Sequence, residues 1–191
     1  AALRGHKVTL FEKERFLGGQ IKLAAIPPSK EIYQEVANSR IKAIKELNVD
    51  IRVGQPLTTD KIKEIKPAVL IIATGSEPSI PNIPGINREN VISARKALST
   101  KEVGKKVLVI GGGLVGCETA DYLSSKGKNV TIVEMIDHIA EGIGLAAMFF
   151  LMNRLNEKQV KIVTRTTVKS IVDNGVVVET AGGTQKLGPF D

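Results

Sequence analysis

The sequence predicts an α/β fold in which a parallel sheet is followed by an antiparallel meander. Aromatic residues make up only 4% of the chain and Trp is absent, so the core must be built from Val, Ile, Leu and Ala, as in buried parallel strands. The strand Lys106–Ile110 is followed by a glycine loop, a helix and a second strand that ends at Glu134. Three further strands separated by turn signals are expected at 164–173, 176–180 and 185–187.

The glycine loop between this first strand and its helix predicts a Rossmann-like dinucleotide-binding site. Gly111 allows a tight turn, Gly113 lets the backbone approach a pyrophosphate, and Gly116 lets the helix pack on the strand. The helix, expected from Leu114 to Lys126, offers unpaired N–H groups and a positive dipole end to the phosphates. The predicted cofactor loop therefore comprises Gly111, Gly112, Gly113, Leu114, Val115 and Gly116.

The acidic residue at the end of the second strand predicts NAD rather than NADP. Glu134 follows Gly111 at about the 20-residue distance at which an acidic side chain hydrogen-bonds a ribose 2′-hydroxyl. This carboxylate would repel a 2′-phosphate, and neither Arg nor Lys occurs in Met135–Glu141 to receive one. Glycines that only permit a turn are the alternative interpretation, and the strand, helix and acid around them weigh against it.

An internal repeat predicts a second dinucleotide-binding unit. Gly5–Glu12 matches Gly127–Glu134, and each segment has a helix-ending Gly, a buried strand and an acid at the end of the strand. A chance likeness of two short strands is the alternative. On the repeat interpretation, the first copy's strand and glycine loop lie upstream of Ala1, and the last strand of the second unit lies beyond Asp191. We therefore expect the chain to be a fragment of a longer protein.

The segment between the two copies is expected to contain a helix and two strands. Apolar side chains at helical spacing predict a helix over 29–47. Strands are expected at Val49–Val53 and Ala68–Ala73. Ser76–Pro84 is rich in Pro and is the best candidate for a linker, bent and semi-rigid.

Composition and charge argue against several classes of partner. The net charge of +7 comes from scattered Lys and Arg without an aromatic platform, so nucleic acid is not an expected partner. The apolar run Leu145–Met152 is far shorter than the roughly 20 residues that cross a bilayer, so no membrane partner is expected. Cys117 is the single cysteine, which excludes a disulfide within the chain, predicts no metal site and fits a reducing cytoplasm. We expect Cys117 to pack in the core.

Four motifs resemble those of a known family. Gly18-Gly19-Gln20, Pro27-Pro28, Ala73-Thr74-Gly75 and Gly111–Glu118 are similar to the carboxyl-terminal part of the 2,4-dienoyl-CoA reductase and 2-enoate reductase family, the old-yellow-enzyme-like NADH:flavin oxidoreductases. The likeness runs over nearly the whole chain. It implies the two-dinucleotide flavoprotein fold in three parts: a truncated FAD-binding domain (1–78), a linker (79–103) and an NAD-binding domain (104–191).

The resemblance also implies an electron path. NADH would give hydride to FAD, and electrons would pass through an iron–sulfur cluster to FMN in an amino-terminal TIM barrel, where an activated C=C bond of an enoate or dienoyl-CoA is reduced. The barrel and the cluster ligands are not in this sequence and are expected in an amino-terminal part of the same longer chain.

Individual site residues follow from the same resemblance. The residues that would contact FAD are Glu12 at a ribose, Gly18, Gly19 and Gln20 along the cofactor, Leu57 at the adenine through its backbone, and Ala73, Thr74 and Gly75 near the phosphates. Glu118 would lie near the contact of nicotinamide with flavin and is the candidate catalytic residue. A carboxylate that only complements the helix dipole is the alternative for Glu118.

Three functional hypotheses follow. The chain is the NADH-accepting part of a flavin-dependent C=C reductase, or an NAD-binding module that is inert as a fragment and comes from another pyridine-nucleotide flavoprotein such as an NADH oxidase. A protein that kept the fold and lost the ligand is the third, and the intact loop and Glu134 weigh against it. A homo-oligomer is compatible with each of them.

Overall fold

The computed structural model of the chain describes residues 1–100 and 102–191. These residues divide into two compact units, one made of 1–25 and 29–77, the other of 26–28 and 78–191. The mixed α/β architecture with parallel and antiparallel sheets agrees with the predicted fold class. None of the helices in the described part of the chain is long and apolar enough to cross a membrane.

The first unit is built around two parallel strands. Its elements are a 3₁₀ turn Ala2–Arg4, β1 (Val8–Glu12), α1 (Ile21–Ala24), α2 (Ile32–Glu46), β2 (Val49–Val53) and α3 (Thr59–Ile65). Val8 pairs with Val49, and the parallel register continues to Glu12 and Val53. Two parallel strands need a crossover between them, and α2 supplies it. This helix begins later than predicted because Ser29 has a φ of 65°, which is incompatible with a helix.

The predicted strand Ala68–Ala73 does not form, so this prediction is wrong. Val69 and Ile72 are exposed to 76% and 77%, and no regular element is assigned to the segment. A strand needs a neighbour that accepts and donates its backbone hydrogen bonds. The sheet of the first unit contains only β1 and β2 among the described residues, and neither pairs with this segment.

The second unit contains a parallel sheet with the order β3-β4-β5. Its elements up to that sheet's last strand are α4 (Ala94–Ser99), β3 (Lys106–Ile110), α5 (Leu114–Ser125), β4 (Asn129–Val133), α6 (Leu145–Glu157) and β5 (Lys161–Val163). Lys106 pairs with Asn129 and Ile110 with Val133, which confirms the predicted adjacent, parallel arrangement of these strands. The three-residue strand β5 has no counterpart in the sequence interpretation, because so short a run carries no periodicity.

An antiparallel meander completes the second unit, as predicted. It consists of β6 (Thr167–Val172), β7 (Gly175–Thr180) and β8 (Gly183–Leu187), paired in that order. The first of these strands begins three residues later than predicted, because the residues before it form a turn in which Arg165 has a φ of 51°.

Strand β4 lies between two apolar clusters. Ile132 belongs to the first cluster, with Cys117 and Ala120 of α5 and Leu155 of α6. Val133 belongs to the second, with the meander residues Val168, Ile171, Val176 and Val178. Burial on both faces explains why the successive residues Ile132 and Val133 are both apolar. The predicted linker 79–103 contains α4. Three linker residues that precede this helix, Ile83, Ile86 and Val91, pack against the second cluster.

A buried carboxylate holds α5 and α6 together. The Asp121 side chain is only 1% exposed and accepts hydrogen bonds from Arg154 Nε at 2.8 Å and from Lys158 Nζ at 2.5 Å. Both cations are themselves 25% exposed, so their outer surfaces still reach water. This triad fixes the position of the helix that follows the glycine loop.

The internal repeat is visible in the backbone. Gly5 and Gly127 precede β1 and β4 and have φ values of 82° and 75°. Each strand then leads through a helix, α2 or α6, to a parallel partner strand. The two halves of the chain therefore share a strand–helix–strand unit.

Candidate cofactor-binding site

The site in the second unit begins with a tight turn at the end of β3. Gly111 has a φ of 101°, a conformation that a residue with a side chain adopts only with strain. Its N–H donates to the carbonyl oxygen of Val133 at 2.9 Å, so the turn stays attached to β4. The sequence pattern predicts a tight turn at Gly111, and the backbone conformation agrees with that prediction.

Two other glycines allow close packing behind the loop. A Cβ on Gly116 would clash with the carbonyl oxygen of Gly111, so only glycine lets α5 lie this near to the turn. A Cβ on Gly112 would come within 2.5 Å of Ile139 Cγ2. The carbonyl oxygen of Gly112 also accepts from Ala140 N at 2.6 Å. The loop is therefore fixed from behind.

The front of the loop is open. Gly113 caps α5 with φ −63° and ψ 178°, and a Cβ built on it would have no atom within 4 Å. Leu114 and Val115 beside it are exposed. The first N–H groups of a helix have no partner within the helix, and the helix dipole makes this end positive. The geometry therefore offers an anion a backbone surface that no side chain obstructs.

The Glu134 carboxylate is held directly against this loop. Glu134 Oε2 accepts from Gly112 N at 2.6 Å, and Oε1 accepts from Met135 N at 2.6 Å and from Ile136 N at 3.1 Å. A carboxylate has about four acceptor positions, so capacity remains for a hydroxyl donor. The structure thus brings together the loop and the acid that the sequence singled out.

A basic side chain that the sequence analysis missed lies at the same edge. Arg165 follows β5, and its N–H donates to the carbonyl oxygen of Ile136 at 2.8 Å. Its Nη2 lies 3.3 Å from Asp137 Oδ2, while Asp137 Oδ1 lies 2.8 Å from His138 Nδ1. Arg165 lies outside Met135–Glu141, the segment in which a cation for a 2′-phosphate would be expected from sequence distance. Arg165 reaches this edge because β5 pairs with β4, and the sequence carries no signal for so short a strand.

Contacts among Asp137, His138 and Arg165 shift the pKa values of Asp137 and His138. Hydrogen bonds from His138 and Arg165 lower the pKa of the Asp137 carboxyl, since both favour the ionised form. The hydrogen bond to Asp137 raises the pKa of His138 in turn. Asp137 therefore remains an anion between two basic groups.

Two residues on α5 have different environments. Cys117 is fully buried, and its Sγ donates to the carbonyl oxygen of Gly112 at 3.1 Å. Burial raises the pKa of this thiol to about 11, so it packs as an apolar group, as expected. Glu118 is half-buried one position further on, near enough for its charge to add to the rise in the pKa of Cys117.

In the first unit, the predicted residues form two groups. Glu12 Oε1 accepts from Glu14 N at 2.9 Å, and the Glu12 carbonyl oxygen accepts from Gln55 N at 3.0 Å, two residues before Leu57. These contacts place the acid at the end of β1 against the loop that carries Leu57.

The second group joins two glycine turns. Gly18 and Gly19 have φ values of 110° and 46°, and nothing lies within 4 Å of a Cβ built on Gly19. The Gln20 amide donates to both oxygens of Ser76, and a Cβ on Gly75 would lie 3.1 Å from Gln20 Nε2. Ala73 and Thr74, which precede Gly75, are exposed. Among the described residues, neither forms a hydrogen bond with Gln20.

Comparison with known proteins identifies the family. The sequence profile described as pyridine nucleotide-disulphide oxidoreductase matches residues 1–188. The chain belongs to this family. A bilirubin reductase of Mediterraneibacter gnavus is 38% identical over 98% of the chain and 29% of its own length. A cinnamate reductase of Clostridium sporogenes is 37% identical over 95% of the chain and 28% of its own length.

A solved structure extends the likeness to three dimensions. The 2-naphthoyl-CoA reductase in complex with 2-naphthoyl-CoA superposes with a TM-score of 0.93 at 34% identity, over 100% of this chain and 29% of that one. The chain thus spans less than a third of the length of these relatives.

Membership of the pyridine nucleotide-disulphide oxidoreductase family confirms the predicted resemblance and fold. It makes the chain part of an oxidoreductase family that uses a flavin and a pyridine nucleotide, as the sequence predicted. In this pyridine nucleotide-disulphide oxidoreductase chain the single cysteine is buried under the glycine loop, and the described residues contain no group of His, Cys, Asp and Glu that could hold a metal ion.

Proposed function

We propose that the chain is the electron-input region of a flavoprotein reductase, in which residues 104–191 bind NADH and residues 1–78 form part of an FAD-binding domain. The observation that carries the proposal is the Glu134 carboxylate, held at 2.6 Å from the Gly112 N–H beside the open end of α5. A pyrophosphate at that helix end would leave the adenosine ribose next to this carboxylate.

The choice of NADH over NADPH rests on the same group. Glu134 keeps acceptor capacity for a 2′-hydroxyl after its three backbone hydrogen bonds. A 2′-phosphate carries close to two negative charges at neutral pH and would meet this carboxylate at short range. The Coulomb repulsion favours the unphosphorylated cofactor.

The residues present in the first unit fit FAD. The open face of Gly19, the Gln20 contact beside Gly75 and the carboxylate of Glu12 offer backbone room and a hydroxyl acceptor of the kind that a dinucleotide requires. Leu57, Ala73 and Thr74 would complete the FAD contacts. When bound, FAD supplies the acceptor for hydride from NADH, and the chain's own residues bind and orient the two cofactors.

Glu118 is the proposed positioning group for the nicotinamide end. It lies on the first turns of α5, the helix whose amino terminus faces the pyrophosphate, and is half-buried. A carboxylate there can orient the carboxamide or adjust the local charge while hydride leaves. It carries no covalent chemistry, which belongs to the cofactors.

The substrate that finally receives the electrons is proposed to contain an activated C=C bond. The names of two relatives contain cinnamate and 2-naphthoyl-CoA, which are both conjugated carbonyl compounds. The relatives are more than three times longer than this chain, and the FMN, the iron–sulfur cluster and the TIM barrel of the proposed path belong to that additional length. Nucleotide cofactors and this barrel are the partners that the proposal requires.

A second candidate is an NADH oxidase. A protein of that name from Thermoanaerobacter brockii is 37% identical over 97% of the chain and 29% of its own length. The two candidates share the NADH and FAD sites and differ in the final acceptor. Consumption of O₂ with NADH alone would favour the oxidase, whereas turnover that requires an enoate or enoyl thioester would favour the reductase.

The test is anaerobic mixing of NADH with the flavin-loaded longer protein, which contains the complete FAD-binding domain, in a stopped-flow spectrophotometer. We expect the flavin absorbance to bleach with NADH, and more slowly with equal NADPH. Glu134→Ala should raise the NADH concentration at which bleaching reaches half its maximal rate. Glu157→Ala, which removes an exposed carboxylate on α6, should leave that concentration unchanged. Absence of bleaching at NADH concentrations that saturate binding would refute the proposal.

A further inference from the structure

The edge that holds Glu134 is built from two segments joined by backbone hydrogen bonds. Thr166 N donates to the Glu134 carbonyl oxygen at 2.9 Å, and Arg165 N donates to the Ile136 carbonyl oxygen at 2.8 Å. The loop after β4 and the turn after β5 therefore form one surface. The backbone that carries Glu134 is thus joined directly to the backbone that carries Arg165.

Arg165 is held in an unusual state on this surface. Its φ of 51° is rare for a residue other than Gly, Asn or Asp, and residues held in such conformations cluster at functional sites. Its side chain is 77% exposed, yet Nη2 lies 3.3 Å from Asp137 Oδ2. The other oxygen of Asp137 lies 2.8 Å from His138 Nδ1, so one carboxylate engages both basic groups.

We propose that Asp137 is a specificity-determining residue that keeps Arg165 and His138 from serving as ligands for a 2′-phosphate. Arg is the residue that accommodates this phosphate in related sites, because its planar guanidinium fits phosphate oxygens. With Asp137 in place, an incoming phosphate meets two carboxylates, Glu134 and Asp137, and a guanidinium that is already engaged. Rejection of NADPH thus rests on a pair of acids rather than on Glu134 alone.

The inference rests on the proposed NADH site and concerns a separate residue. The Asp137–Arg165 pair is exposed, so it contributes little to stability and can be broken without unfolding the protein. Its loss would release Arg165 and remove one negative charge from the path of the phosphate. The expected gain is about threefold to fivefold in affinity, the range that an exposed ion pair supports.

The test measures binding of ADP-ribose and of its 2′-phosphate by isothermal titration calorimetry, without hydride transfer. Asp137→Ala should tighten 2′-phospho-ADP-ribose by about threefold or more, with ADP-ribose within about twofold of wild type. The double variant Asp137→Ala/Arg165→Met should lose the part of this gain that comes from the released guanidinium and keep a smaller part from the removed negative charge. Asp173→Ala is the matched control. Asp173 lies at the β6–β7 turn and forms another exposed ion pair with an arginine, Arg88.

The outcomes separate the inference from the function on which it rests. Wild-type protein that binds neither ligand would count against the NADH site itself. Wild-type protein that binds ADP-ribose, with Asp137→Ala unchanged toward the 2′-phosphate, would overturn the role of Asp137 alone. A gain that Arg165→Met leaves undiminished, or that Asp173→Ala also produces, would overturn it too.

Discussion

Two alanine substitutions in the glycine loop should separate binding from folding. At Gly113 an added Cβ meets no atom within 4 Å, and φ −63° suits any residue. At Gly116 the added Cβ clashes with the backbone oxygen of Gly111, which cannot rotate away. The two methyl groups are chemically identical, but the first occupies the open face of the loop and the second occupies its packed face.

The expected magnitudes follow from these environments. Gly113→Ala changes a helix cap and should cost at most about 1 kcal/mol of unfolding free energy. Gly116→Ala overpacks the loop at a cost of about 1–3 kcal/mol, offset by up to about 1 kcal/mol of helix propensity, so we expect a net loss of about 1–2 kcal/mol. Gly113→Ala should nevertheless weaken NADH binding by at least about tenfold, or ~1.4 kcal/mol, since its methyl group occupies the space of the pyrophosphate.

Urea unfolding and NADH titration by fluorescence measure the two quantities on the same preparations. The reasoning predicts that Gly113→Ala is stable and binds poorly, and that Gly116→Ala is both unstable and impaired in binding. Wild-type affinity in Gly113→Ala would show that the open face of the loop is not where the pyrophosphate lies. Wild-type stability in Gly116→Ala would refute the packing argument.

Three further predictions concern α5. Glu118→Gln should slow flavin reduction at saturating NADH with an unchanged dissociation constant and urea midpoint, whereas an unchanged rate with a lower midpoint would make Glu118 a structural residue. Asp121→Asn should lower the unfolding free energy by about 3 kcal/mol. This is toward the low end for a broken buried pair, because Arg154 and Lys158 still reach water. A loss below about 1 kcal/mol in urea unfolding would contradict this prediction. The pKa of the Cys117 thiol is raised from 9.0 to about 11 in the folded protein, so the unfolded chain ionises first. The contribution of the thiol to the unfolding free energy should be complete below pH 9 and fall away as pH rises toward 11. Cys117→Ala should flatten the stability profile in that window, and an unaltered profile would contradict the shift.

Local sequence signals predicted the elements that carry a recognisable residue pattern of their own. The strands Val49–Val53 and Lys106–Ile110 have the predicted bounds. The first alternates apolar with polar residues, and the second has four apolar residues in succession, both of which are strand patterns. Helix α5 begins at Leu114, as predicted, because Gly113 is its N-cap residue. The position of Glu134 beside the loop was predictable in the same way, because the acid directly follows a strand that pairs with β3.

The failures came from features that depend on tertiary partners. Ala68–Ala73 has the composition of a strand and remains irregular and exposed, because no described strand pairs with it. Strand β5 is three residues long and is formed by pairing with β4, not by its own pattern. Arg165 was missed because it approaches Asp137 from another strand end, and sequence distance gave no sign of that contact.

The most direct test of the central claim compares the dissociation constants of NADH and NADPH for this chain. Isothermal titration at low and high salt should give NADH at least about tenfold tighter affinity, ~1.4 kcal/mol, because Glu134 accepts from the ribose hydroxyl and repels a phosphate. Glu134→Ala should narrow this gap, and a nearby cation introduced by Met135→Arg should narrow it further by binding the phosphate. Equal affinities of the unmodified chain for the two cofactors would contradict the account.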